Sequence, residues 1–547
     1  MRKIKILEKT SDESVNIALD TINMNKQAII FVNTKRSAEA LAEKIAKHTK
    51  SNENTEMLSK QIISVLTYPT KQCIRLGNIV SKGIAFHHSG LLSEQRKLVE
   101  DNFRNGIIKI IVATPTLAIG VDLPAFRVII RDLKRFGLWG MEYIPALEYH
   151  QQAGRAGRPS YDNYGEAIII ADTETQKQEL LERYINGEPE EIISKLASEP
   201  ILRTYILSLI ASEFVNTRKE LRDFFEKTFY AKQYGDSRKL NAIIDRIIEQ
   251  LQEWQFLKKY LYDEKDLRDE KDSKKIETKN KNYFISALNM SFNEKLEATL
   301  LGKRVSELYL DPYTANHIIE NIKIIHNILN NKSNEKKYSE LTFIQMLCSC
   351  LEIRPLLRVK TAEYDEIQQY LNSNEEFIIN KVEQFDEYYD EFLNTLKTSK
   401  FFMEWLDEKS EEYLLEHYDV RPGEIYGKLE IIDWLIYSSG ELSRLLKMMD
   451  INKELNKLRF RLKYGVKEEL IPLLQLKNIG KVRARIMFKN GIKNIADVKK
   501  IDFSTLSRLL GKNIAIDIKK QVGQEFAEEK IRVKKNKRKG QINLNDF

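Results

Sequence analysis

The chemistry of this chain is most concentrated in nine residues, Gln151-Gln152-Ala153-Gly154-Arg155-Ala156-Gly157-Arg158-Pro159. Arg155 and Arg158 each follow a glycine, so a tight backbone carries two planar cations able to converge on one phosphate cluster. That arrangement suits a nucleotide held against a partner surface. The plainer reading is a basic turn closing a helix, the default for a short Gly/Arg string. Two further polar strings carry hydroxyls and small residues: His87-His88-Ser89-Gly90, and Thr114-Pro115-Thr116-Leu117-Ala118-Ile119-Gly120-Val121-Asp122-Leu123-Pro124.

The elements that must position these strings are legible as strands and helices. Gln27 to Val32 is a β-branched apolar run followed by Asn33-Thr34, after which Ala38, Leu41, Ala42 and Ile45 recur at helical spacing. Strand-like runs return at Ile84 to Phe86, Ile107 to Ala113, Arg127 to Ile130 and Glu166 to Ala171, with helical segments among them. Near-continuous apolar strands alternating with helices predict a mostly parallel sheet covered on both faces. In such sheets ligands bind in loops at the carboxyl ends of the strands, so the hydroxyls, small residues and arginines are expected at one rim.

Bulk properties narrow the class. At 547 residues with 42% hydrophobic content, the chain is long enough for about three to five globular domains. A net charge of +8 arises from 88 Lys+Arg against 80 Asp+Glu, so a polyanion partner must be met by local patches. Cys73, Cys348 and Cys350 make no Cys-x-x-Cys pair, which argues against zinc and a disulfide framework and for a reducing cytoplasm. The N-terminal residues have no apolar signal core, and no stretch approaches the ~18 apolar residues of a spanning helix.

In order and context, these strings resemble the motifs of the second RecA-like domain of superfamily two helicases. Asn33-Thr34-Lys35-Arg36-Ser37 resembles motif IV, His87 to Leu91 motif IVa, Thr114 to Pro124 motif V, and Gln151 to Arg158 motif VI. The resemblance implies that Arg155 and Arg158 reach the β- and γ-phosphates of ATP on another RecA-like domain, with Gln151 orienting the site. It implies that Gly120 and Asp122 approach the ribose, and that His88, Ser89, Thr114 and Thr116 hold a nucleic-acid backbone. The alternative for the two histidines is a satisfied strand end. Between motifs V and VI, Arg131 to Tyr149 patterns as strand, turn, strand with Phe136, Leu138, Trp139, Met141 and Tyr143 around Gly137 and Gly140. In related helicases a hairpin here wedges into a duplex, so Phe136 and Trp139 become candidates to stack on a base pair. A hairpin packed on a neighbouring domain is the alternative.

A complete motor also needs a phosphate-cradling Gly-x-x-x-x-Gly-Lys-Ser/Thr loop and an Asp-Glu pair for Mg²⁺. The Gly-Lys pairs at Gly302, Gly427, Gly480 and Gly511 are never followed by Ser or Thr, and Asp263-Glu264 and Asp407-Glu408 lie outside any strand-end context. ATP and Mg²⁺ are therefore expected mainly on a first RecA-like domain, either on a separate N-terminal helicase subunit or lost by truncation. This chain is expected to hydrolyse no ATP alone.

Helical patterns dominate after Ile193. Leu202, Ile206, Leu209 and Ile210 form a stripe, and Lys219 to Tyr230 with Leu240 to Trp254 fit a winged-helix domain whose wing includes Asp263 to Asn282. Thr299 to Tyr309 with Asp311-Pro312, together with Glu199 to Tyr230, Arg421 to Trp434 and Arg461 to Asp497, resembles the archaeal Hjm-type DNA helicases, a Ski-two-like group. Asp419 to Ser438 introduces a long helix that in this family lies along the translocating strand, with a tryptophan stacking on a base and an arginine seven residues earlier. Trp434 matches; the earlier position is Gly427, with Lys428 about 100° round the helix. The alternative for Trp434 is a core anchor beside Leu435. Leu473 to Val498 reads as a helix-hairpin-helix whose turn, with Gly480, Lys481, Arg483 and Arg485, suits phosphate at a helix start; a hairpin that packs domains together is the alternative.

The expected architecture is a RecA-like α/β domain at 1–190, a winged helix at 191–310, an all-α ratchet domain at 311–465, a helix-hairpin-helix domain at 466–528 and a basic tail at 529–547. The final Gln541 to Phe547 is similar to a sliding-clamp peptide with one aromatic; a single-strand-binding protein or plain disorder are the alternatives. The function implied is ATP-driven 3′ to 5′ unwinding of forked or gapped DNA in replication-fork repair. An RNA helicase subunit and a motor-dead nucleic-acid-binding protein are the competing readings.

Overall fold

The computed structural model describes residues 6, 8–137, 140–158, 162–196, 198–235, 237–263, 292–330 and 338–524. Trp139, much of the expected wing, and the whole basic tail with Gln541 to Phe547 lie outside them. The chain divides into two compact units, Met1–Pro312 with Glu411–Glu430, and Tyr313–Ser410 with Ile431–Phe547. Glu411–Glu430 thus groups with the first unit, although it falls inside the stretch assigned from sequence to the helical domain.

The first unit opens with α1 (Glu13–Asn23), β1 (Ala28–Phe31), α2 (Lys35–Ala46), α3 (Glu53–Ile63), α4 (Lys71–Val80), β2 (Ile84–His87), α5 (Ser93–Arg104), β3 (Ile110–Ala113) and β4 (Arg127–Ile130). A hairpin of β5 (Lys134–Gly137) and β6 (Gly140–Tyr143) precedes α6 (Ala146–Ala153) and β7 (Glu166–Ile169). The parallel sheet runs β2-β3-β1-β4-β7, as the apolar runs require. Every residue of β1 to β4 is buried, whereas β7, at the edge, is only partly covered. Arg127 is the exception in kind: it is buried, and its guanidinium is satisfied by Glu166 at 2.7 Å, Asp20 at 2.9 Å and Thr21 Oγ1 at 2.7 Å.

Helices Glu199–Ala211, Arg218–Glu226, Phe229–Tyr234 and Ser237–Glu253 follow, with the antiparallel pair β8 (Leu257–Asp263) and β9 (Phe292–Ala298), which is a winged helix. Its buried stripe is Leu202, Ile206, Leu207 and Ile210; Leu209 is only half-buried, because the core-facing arc runs through the i, i+4, i+5 and i+8 positions. Arg203 closes the domain against Asp311 with two hydrogen bonds of 3.0 and 2.9 Å.

The second unit is helical. Its last helices, among them Lys481–Lys489, Ile495–Lys500, Phe503–Leu510 and Lys512–Gln521, share one core containing Leu473, Ala484, Met487, Val498, Leu506 and Ile518. The buried Lys519 ammonium donates to the carbonyls of Val498, Lys499 and Ile501, closing helix ends that would otherwise be orphaned. No helix among the described residues is long and apolar enough to cross a membrane.

Candidate functional site

The sequence motifs do not share one rim; they divide between the two ends of the sheet. The strand following β4 enters the hairpin at the carboxyl end, and α6 then runs back, delivering Gly154 to Arg158 to the amino end of β4. There Ala125 donates to the Arg155 carbonyl at 2.9 Å and accepts from the Gly157 amide at 2.6 Å, with Gly157 at φ +96°. The segment Thr114 to Pro124 makes the same crossing, starting beside His87 at the carboxyl end of β3 and arriving before β4. The single-rim expectation fails because both segments are crossovers that span the sheet.

At the amino end, Arg155 donates to the Ala118 carbonyl at 2.6 Å and lies 3.4 Å from Asp122, whose side chain is 95% exposed. Arg158 is fixed by Asp162 at 2.7 and 3.2 Å and by Gln27 Oε1 at 2.7 Å. Asp162 also takes Lys26 at 2.6 Å, and the Arg158 hydrogen bond holds its carboxyl below the usual aspartate range. Gly120 has φ +85° and open space where a Cβ would stand, leaving its backbone approachable. Gln151 is exposed on α6, whereas its neighbour Gln152 is buried.

At the carboxyl end, Ser89 and Thr116 are exposed, and Thr116 Oγ1 lies 3.0 Å from that of Thr114, which is itself buried. His88 departs from its expected place: the ring is fully buried against Glu39, so a phosphate contact through it would require it to leave that carboxylate. Its pKa is lowered by that burial, keeping it neutral near pH 7. The hairpin presents Phe136, 82% exposed, opposite Met141. Asn33 connects motif IV to the hairpin base, donating its side-chain amide to the Lys134 carbonyl and its backbone amide to the Asp132 carboxylate at 3.0 Å. A cleft of about 1070 Å³ opens here, bordered by Asn33, Thr34, Arg131, Lys134, Arg135 and Phe136. Lys134 and Arg135 of β5 border this cleft beside Phe136, the residue of that strand marked from the sequence as a stacking candidate.

In the helix Pro422–Leu445, Lys428 and Trp434 are both half-buried, so Trp434 is not the sealed core anchor that Leu435 is. Around the helix-hairpin-helix turn, Gly480 and Arg483 are exposed, and Arg483 donates to the Asn478 carbonyl at 2.7 Å. Lys481 donates to the Lys409 carbonyl at 3.0 Å, and Arg485 binds Glu408 and Glu469. The four residues are brought together, and all three cations already have partners within the chain, Arg483 being the exposed one.

A parallel RecA-like sheet with motif V and VI groups at one end and hydroxyls and an aromatic-tipped hairpin at the other, followed by a winged helix, defines the second motor domain of a superfamily two helicase. The comparisons agree: the helicase conserved C-terminal domain matches residues 11–160, a helix-turn-helix domain 165–258, and archaeal helicase domain 4 residues 341–465. Proteins named ATP-dependent DNA helicase Hel308 are similar over most of the chain. The one from Methanococcus vannielii is 36% identical over 533 residues, covering 94% of this chain and 68% of the relative, and that from Pyrococcus abyssi is 35% identical over 535 residues, covering 96% and 67%. The chain belongs to the Hel308 family of archaeal Ski-two-like helicases. It spans about two thirds of the length of these relatives.

Proposed function

We propose that this chain supplies the second motor domain and the strand-tracking domains of an ATP-dependent 3′ to 5′ DNA helicase acting on forked or gapped DNA during replication-fork repair. The observation that supports this most is the division of the motor sheet. Arg155, Arg158 and the exposed Asp122 stand at the amino end of β4, while Ser89, Thr116 and Phe136 stand at the carboxyl end. A nucleotide-facing group and a strand-facing group on opposite ends of one rigid sheet let nucleotide-dependent closure move the strand.

The residues present fit a nucleotide offered from outside this domain: an exposed carboxylate for ribose hydroxyls, an open glycine backbone and two arginines for phosphate. ATP with Mg²⁺ supplies the phosphoryl chemistry when bound; this chain's part is to orient the phosphates and neutralise charge through Arg155 and Arg158. The phosphate cradle belongs to a first RecA-like domain outside these 547 residues. DNA-stimulated ATPase and forked-duplex unwinding are the test, measured on this chain alone and after addition of a first RecA-like domain from a Hel308 relative. Neither activity is expected alone and both together; vigorous turnover by this chain alone, or none after addition, would sink the reading.

A further inference from the structure

Glu39, on α2, is the meeting point of four elements. Its Oε1 accepts from His88 Nε2 at 3.2 Å, from Arg421 Nε at 3.1 Å and from Gln72 at 3.4 Å, and its Oε2 accepts from Arg75. The amide of Gly90 donates to His88 Nδ1 at 3.2 Å, which leaves the proton on Nε2, pointed at Glu39. Glu39, His88 and Arg421 are all buried, so this is an interior junction and not a surface pair.

The same junction grips the start of the helix Pro422–Leu445. The Gly423 amide donates to the Gly90 carbonyl at 3.0 Å, and a Cβ on Gly423 would stand 2.2 Å from the Leu91 carbonyl oxygen and 2.6 Å from that of Ser89. Backbone therefore lies directly on backbone. Outside this contact Lys35 pairs with Glu424, and Arg36 with Asp419 at 2.7 Å. The motif IV and motif IVa segments thus hold residues 419–424, at the first turn of the helix Pro422–Leu445.

We propose that Glu39 and Arg421 are positioning residues that lock the base of the helix Pro422–Leu445 to the Ser89–Leu91 loop, so that strand contact at the loop also steadies the first turns of that helix. This rests on the reading that the carboxyl end of the motor sheet holds a DNA strand. Arg421 is the separable member: without it Glu39 keeps Arg75 and His88, and the motor core stays closed, but the helix base loses its buried partner.

Hydrogen exchange of the full chain with and without a short oligo-dT tests this. In the natural chain, oligo-dT slows exchange in both Ser89–Leu91 and Gly423–Glu430. Arg421→Gln is expected to keep the first protection and to lose about tenfold of the second, with Arg421→Lys recovering part of it. A merely structural role would weaken both segments together, and that result, or unchanged protection of both, overturns the proposal. Protection of Ser89–Leu91 without Gly423–Glu430 in the natural chain overturns it alone. No protection by oligo-dT anywhere removes the DNA reading and the proposal with it.

Discussion

Arg158 grips Asp162 through two hydrogen bonds, 2.7 Å from Nε and 3.2 Å from a terminal nitrogen, and the Asp162 side chain is only 1% exposed. The arginine we propose to face a nucleotide is thus held by a buried carboxylate that also binds Lys26. Asp162→Asn weakens the hydrogen bonds that hold Arg158 and Lys26, and since both cations are partly exposed the cost is about 1–2 kcal/mol. Urea unfolding should show this loss, and ATPase of the assembled motor should drop with it while oligo-dT binding by this chain holds.

Arg155 is the cleaner probe of the proposed nucleotide face, since its partners are a carbonyl and a solvent-exposed aspartate. Arg155→Ala should leave thermal stability nearly unchanged and reduce ATPase of the assembled motor by about 10³-fold or more. A loss below about tenfold would remove Arg155 from the finger role.

Phe136 stands out from the hairpin with little to lose on removal. Phe136→Ala should cut unwinding of a forked duplex several-fold at unchanged DNA-stimulated ATPase, since stacking on one base is worth about 1–3 kcal/mol. Parallel losses in both activities would point to a packing role for the hairpin.

Gly427 has nothing within 4 Å of where its Cβ would stand, and seven residues separate it from Trp434. Seven residues rotate about 700°, within about 20° of two full turns, so both positions share a helix face. Gly427→Arg should therefore fit, stabilise the helix by about 0.5–1 kcal/mol and tighten oligo-dT binding, steepening its salt dependence by about 0.7. Melting and a salt titration measure both effects; weaker binding would show that the strand does not follow this face.

Burial acts to raise the Glu39 carboxyl, but the His88 hydrogen bond and the Arg421 charge outweigh it and hold the group at about 2, against an ordinary 4.5. The unfolded chain then binds more protons between these values, so the stabilisation is complete above pH 4.5 and is lost as pH falls toward 2. The full effect is about 3 kcal/mol. Acid unfolding of Glu39→Gln against the natural chain isolates it from His88, Arg75 and Arg421, which also face the site; identical pH dependence in the two would refute the assignment.

What the sequence determined by itself was local and periodic. Apolar runs such as Ala28–Phe31 and Ile110–Ala113 have no stable place except a doubly covered parallel sheet, and the order of the four motifs marked the motor domain. Only the tertiary structure decided which end of the sheet each motif reaches, because that depends on the lengths and directions of the crossovers through Thr114 to Pro124 and through α6. Long-range partners were equally hidden: 49 residues separate Glu39 from His88 and 382 separate it from Arg421. Burial turned His88 from a candidate surface contact into an interior group, since a buried polar ring must find partners, and Glu39 and the Gly90 amide supply them.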